Sequence, residues 1–226
     1  MRESAPERIG IYGGTFDPIH YGHIRVAAAI CAAFALDRFF FVPAFVPPHK
    51  RDRQISAPYH RYAMVVLATL NHPQIARTKL VVLTIELEAP TRPYTIETLQ
   101  RLQTMHATAE LFFIMGADSF AEVNLWRDYE RLLTEYNIIV AARPPADQVS
   151  TQHLSSKCQS HVVDLRGSKR PNLAALTEPK VFLTDYVVVD IAATHVREAV
   201  RREQPIDEFV PPDVARYIAT YDLYRN

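Results

Sequence analysis

A chain of 226 residues is long enough to bury a full core and short enough to form a single domain. Its 25 basic and 25 acidic side chains cancel to a formal net charge of zero, which argues against a nucleic-acid binder but not against a local cationic cluster around a small anion. Two cysteines, Cys31 and Cys158, are too few for a disulfide framework or a thiolate metal site. The polar stretch Met1 to Arg8 has no signal-like apolar region, and no apolar run reaches the ~18–20 residues needed to cross a bilayer. No membrane association and a cytoplasmic location are therefore expected; the sequence is silent on oligomeric state and leaves a homo-oligomer open.

Residues 1–7 are polar and expected to fray. Arg8 to Tyr12 reads as a first strand, and the helix formers from Ile24 to Leu36 read as a first helix. Between them lies Gly13-Gly14-Thr15-Phe16-Asp17-Pro18-Ile19-His20-Tyr21-Gly22-His23, a strand-to-helix turn. Its paired glycines let the backbone pass close to a bound group. His20 and His23, three residues apart, can share one face of the incoming helix. Unpaired N–H groups at a helix N-terminus favour a phosphate. Together these features read as a nucleotide phosphate site with imidazole donors. The turn is neither a G-x-G-x-x-G loop nor a Gly-Lys-Ser/Thr loop. A turn with two surface histidines is the plainer alternative.

Arg38 to Val42 is an almost continuous apolar run, as expected of a strand covered on both faces. It leads into Pro47-Pro48-His49-Lys50-Arg51, a basic cluster on the same side as the histidine turn. Ala57 to Leu70 is a second helix opened by Pro58, with Arg61 placed either toward the ligand or toward solvent. A third strand is expected over Thr78 to Glu86 and a third helix over Ile96 to His106, with Thr95 as its N-cap. Glu110 to Met115 is a fourth strand. Gly116-Ala117-Asp118 follows it, either as a helix cap or as a holder of ribose hydroxyls. Trp126, the single tryptophan, most simply packs.

Asn137 to Ala142 is a fifth strand ending at Arg143, whose guanidinium suits adenine stacking or phosphate. Residues 146–160 are polar and aperiodic, and Leu165 to Pro171 carries a second basic patch read as ordinary surface. Val162 to Asp164, Val181 to Leu183 and Tyr186 to Ile191 are short strands. A helix is expected from Thr194 to Arg202, where Thr194 and Arg197 make a second phosphate-binding end. The last helix, Asp213 to Tyr224, carries an apolar and aromatic docking stripe.

Alternating strands and helices predict a doubly wound, mostly parallel α/β sheet, with the candidate residues on the rim formed by the strands' C-terminal ends. One domain is expected over residues 1–226, residues 192–226 being a C-terminal helical appendage that completes the nucleotide site.

Gly13 to His23 resembles the T/HxGH signature of the nucleotidyltransferase superfamily, in the long form of bacterial nicotinate-mononucleotide adenylyltransferases. The Pro-Pro-His-Lys, Pro-Tyr-Thr, Gly-Ala-Asp-Ser and Arg-Pro segments match the same family. Its Ile-Ser-x-Thr-x-x-Arg pattern falls on Ile191 to Arg197 with Ala192 in place of the serine, a lost hydroxyl worth ~0.5–1.5 kcal/mol. The resemblance implies a Rossmann-like (HUP-type) nucleotidyltransferase fold. It makes His20, His23 and Lys50 catalytic. It places ATP contacts on Gly13, Gly14, Thr15, Phe16, Asp17, His20, His23, Lys50, Gly116, Asp118, Arg143, Ile191, Thr194 and Arg197. It places mononucleotide contacts on Gly14, Thr95, Asp118, Trp126 and Arg127.

The implied reaction is adenylyl transfer from ATP to nicotinate mononucleotide, releasing pyrophosphate, with Mg²⁺ carried by the phosphates and no protein metal site. Within the superfamily, phosphopantetheine and nicotinamide mononucleotide are alternative acceptors. A non-catalytic nucleotide sensor on the same fold is the alternative from another class.

Overall fold

A computed structural model of the chain describes residues 6–45, 55–70, 78–142, 149–167, 169–187 and 191–225. Seven strands form one sheet: β1 (Arg8–Gly14), β2 (Arg38–Pro43), β3 (Lys79–Val82), β4 (Glu110–Gly116), β5 (Asn137–Ala141), β6 (Val162–Asp164) and β7 (Val181–Thr184). Their order is β3-β2-β1-β4-β5-β7-β6, and every pairing is parallel. The winding reverses between β1 and β4, where a crevice opens beyond the strand C-termini. Tyr12 lies opposite Ile114, so Gly14 and Gly116 leave the sheet side by side at that reversal.

Among the described residues, eight α-helices cover the faces: α1 (Tyr21–Phe34), α2 (Pro58–Thr69), α3 (Thr95–Met105), α4 (Ala117–Ala121), α5 (Tyr129–Glu135), α6 (Ser156–Gln159), α7 (Ala193–Arg201) and α8 (Pro212–Thr220). Successive strand residues point to opposite faces, so the apolar runs split between two cores. Tyr12, Phe39, Phe41, Phe112, Ile114, Ile139 and Phe182 pack with α1, α2, α7 and α8. Ile9, Ile11, Phe40, Val42, Leu111, Phe113, Met115, Ile138 and Val140 pack against the opposite layer, which α3 and α5 supply through Leu99, Leu102, Leu132 and Leu133. Small residues such as Ala27 bring α1 close to the sheet, and Phe34 at its end meets Phe112 and Phe182, with ring centroids 5.7 and 5.2 Å apart.

Cys31 lies buried on α1, and burial pushes its thiol up to about 12, which suits inert packing. Among the described residues no helix is long and apolar enough to cross a membrane.

Several element limits differ from expectation. Helix α1 begins three residues early, because His20 in extended conformation caps it. Strand β3 stops at Val82: Thr84 accepts the Glu88 N–H at 2.9 Å and donates its hydroxyl to the Glu88 carboxylate at 2.6 Å, closing a turn that contains Glu86. Tyr186 and Val187 are not in a strand, and 188–190 lie outside the described residues. Helix α8 ends at Thr220, so Tyr224 does not belong to its stripe.

Phe34→Ala should lower unfolding free energy by ~3–5 kcal/mol, since the ring is fully buried between α1 and two strands. Urea denaturation checks this; a loss below ~1 kcal/mol would show that α1 is not anchored there.

Candidate active site

The turn after β1 is built around packed rings. A Cβ on Gly14 would lie 2.8 Å from the Phe16 ring, and one on Gly13 would lie 2.9 Å from Phe113, so both positions demand glycine. Phe16 adopts φ 48° and sends its buried side chain against Tyr12, Phe41 and His23. Its side chain therefore supports the turn from within. The two signature rings face each other, with centroids 3.8 Å apart and planes tilted by 34°. His20 is 1% exposed and His23 partly exposed, and the His20 backbone N–H donates to His23 Nδ1 at 3.3 Å. Gly22 is needed here too: a Cβ would stand 2.9 Å from the His20 ring and 3.5 Å from the Ile191 carbonyl.

Arg61 takes neither expected position. It is 0% exposed and donates to four carbonyls: Thr15 at 2.6 Å, Ala44 at 2.6 Å, Phe45 at 2.8 Å and Ser56 at 3.1 Å. These oxygens come from the turn after β1, the exit of β2 and the approach to α2. Burial pulls the guanidinium's pKa down, opposed by nearby Asp17, Tyr224 and Glu86.

Asp17 is 5% exposed. Its carboxylate accepts the Tyr224 hydroxyl at 2.7 Å and the Ser56 N–H at 3.4 Å, and its carbonyl accepts Arg197 Nη1 at 2.7 Å. Ile191 and Arg197 are thus brought against the histidine turn. Ala192, not Thr194, occupies the N-cap of α7 and supplies no capping side chain, leaving Thr194 exposed in the first turn.

Across the crevice, Gly116 caps α4 with open space where a Cβ would be, and Asp118 is exposed on its first turn. Tyr94, rather than Thr95, is the N-cap of α3, and its N–H donates to the Glu97 carboxylate at 2.9 Å. Thr95 is the first helical residue and is partly buried. The Arg127 guanidinium lies over the Tyr94 ring, 5.5 Å from its centroid, and Trp126 is half-buried against the neighbouring core. The Thr95, Trp126 and Arg127 segments therefore adjoin. Lys50 and Arg143 lie outside the described residues.

Nothing in the sequence singles out Glu86, since a strand-end glutamate is ordinary, yet it lies beside the site. It accepts the Thr98 hydroxyl at 3.0 Å, and burial lifts its carboxyl to about 7 against that bond, the Phe45 N–H and the attraction of Arg61.

A cavity of about 660 Å³ lies elsewhere, on the outer side of α7, lined by His195, Glu198, Arg202, Asp207 and Glu208 among others. Among the described residues no three His, Cys, Asp or Glu side chains are grouped to hold a metal ion.

Arg61→Met keeps the stem but strands four carbonyls, and should cost on the order of 3–5 kcal/mol by chemical denaturation. A cost under ~1 kcal/mol would mean that water replaces the guanidinium freely. Glu86 gives a pH prediction. The folded chain holds its proton more tightly than the unfolded one, so stability is greatest below the ordinary carboxylate range and falls as pH rises to about 7. Glu86→Gln should remove that decline and exceed the parent above neutral pH by on the order of 3 kcal/mol. Parallel stability–pH curves for the two proteins would refute this.

Known proteins are similar to this chain in sequence and in fold. Residues 11–199 match the cytidylyltransferase-like family. A protein of a Thermoanaerobacter species named "Probable nicotinate-nucleotide adenylyltransferase" is 35% identical over 97% of this chain and 95% of its own length. One of the same name from Hydrogenovibrio crunogenus is 36% identical over 96% of this chain and 97% of its own. The Plasmodium falciparum nicotinic acid mononucleotide adenylyltransferase complexed with NaAD shares the fold, with a TM-score of 0.72 at 21% identity over 96% of this chain and 97% of that one. Matched along nearly its whole length at such identity, the chain belongs to the nicotinate-nucleotide adenylyltransferase family of cytidylyltransferase-like proteins.

Proposed function

We propose that this protein transfers the adenylyl group of ATP to nicotinate mononucleotide, forming nicotinate adenine dinucleotide and pyrophosphate. The observation that carries this reading is the facing pair His20 and His23, 3.8 Å between ring centroids, at the crevice where α7 and Arg197 meet the same turn. The mononucleotide phosphate attacks the α-phosphorus of ATP in line, and the β,γ-pyrophosphate leaves. No side-chain nucleophile is needed, so catalysis consists of positioning and charge neutralisation. His20 and His23 hold the α- and β-phosphates where charge builds. Lys50, Thr194 and Arg197 take the departing pyrophosphate, while Asp118 serves a ribose. Arg143 serves the adenine side.

The pyridine sits across the crevice, where Thr95 and Trp126 would receive a flat ring and Arg127, already placed over Tyr94, adds positive charge near an acid. Mg²⁺ enters as part of the MgATP substrate. The donor set fits that role: the Asp17 carboxylate is committed to Tyr224 and Ser56, which leaves the ion to phosphate oxygens and water.

Pyrophosphate release measured with ATP and nicotinate mononucleotide, beside the amide mononucleotide and phosphopantetheine, tests the assignment; release only with one of the latter two would replace it. His23→Ala should lower kcat by ~10²–10³ with an unchanged fold by circular dichroism. Near-normal turnover would remove the imidazole from its assigned role.

A further inference from the structure

The last turn of the chain has no task in the reaction as described, yet it is built into the phosphate turn. After α8, Asp222 (φ 51°) and Tyr224 (φ 68°) turn the backbone in the left-handed region, and the Leu223 N–H bonds the Ile218 carbonyl at 3.1 Å. That reversal aims Tyr224 at the opposite end of the chain. Its hydroxyl donates to Asp17 Oδ1 at 2.7 Å, across 207 positions of sequence. The other Asp17 oxygens hold the Ser56 N–H and the Arg197 guanidinium. Asp17 is thus a junction between the approach to α2, helix α7 and the C-terminal turn, three residues ahead of His20. Burial beside Asp17 keeps the phenol protonated well above its usual range, so it remains a donor at any working pH.

We propose that Tyr224 is a positioning residue for the triphosphate site: through Asp17 it sets the turn that carries His20 and His23 and keeps that turn in register with Arg197. The proposal rests on the adenylyl-transfer reading and deepens it. Removing the hydroxyl frees the Asp17 carboxylate to rotate, which loosens both anion-holding groups at once. The pyridine side is built on different elements, α3 and the segment after α4. A hydroxyl that merely pins the C-terminus would instead lower stability and weaken both substrates alike.

Tyr224→Phe separates the two. The ring stays, so the thermal midpoint should fall by no more than ~2–4 °C. The KM for ATP and the Kd for inorganic pyrophosphate, the latter measured by calorimetry, should rise about tenfold, as expected for a hydrogen bond to a charged group. The KM for the mononucleotide should stay within about twofold. Because the effect passes through Asp17, adding Tyr224→Phe to Asp17→Ala should cost nothing further. Parent-like pyrophosphate affinity, equal weakening of both substrates, or additive losses would each overturn the positioning role. Pyrophosphate binding reads that role without turnover, so a parent protein inactive toward the mononucleotide would fail the reaction and leave this test standing.

Discussion

The site depends on one buried cation. Arg61 sits where β1 and β2 end and their loops diverge, a place where carbonyls run out of ladder partners and water is excluded. Its fork gathers Thr15, Ala44, Phe45 and Ser56, oxygens from three separate segments, into one rigid corner. Burying a guanidinium is costly, and carbonyl dipoles alone offset little of that cost. Attraction from nearby Asp17 and Glu86 offsets part of it, and burial still pulls the guanidinium's pKa down. A lysine could not make this join, since its ammonium lacks the planar fork that reaches divergent oxygens.

From that corner the polar network spreads toward the histidine turn and α7. Asp17 accepts Ser56, Tyr224 and Arg197, while Glu86 receives Thr98 from α3, the helix that Tyr94 caps. Beneath lies a sheet whose central strands are buried on both faces and which cannot adjust locally. A stiff apolar floor with a polar rim fixes the geometry of these loops, which the proposed adenylyl transfer, needing only positioning and charge neutralisation, would require. The reversal of strand order between β1 and β4 supplies the crevice beside the histidine turn.

Legibility followed the range of the interactions. Strands β2, β4 and β5 could be read from sequence because continuous apolar runs need cover on both faces, a requirement written in adjacent residues. Helix starts were less legible. Thr95 and Thr194 have cap chemistry, yet Tyr94 and Ala192 hold the cap positions, because backbone entry angle and not side-chain preference decided the boundary. Strand β3 was over-read toward Glu86, where a Thr84–Glu88 turn overrode an apolar pattern.

By itself the sequence determined the parallel α/β class, the glycine–histidine turn at the first strand exit and the family to which the chain belongs, since each is carried by residues within a few positions of one another. Only the tertiary structure decided that Arg61 is interior, that Glu86 is a buried carboxyl, and that Tyr224 closes on Asp17. Local periodicity reports neighbours one or two turns away. A bond spanning 207 residues exists only once the sheet has set where its two ends lie.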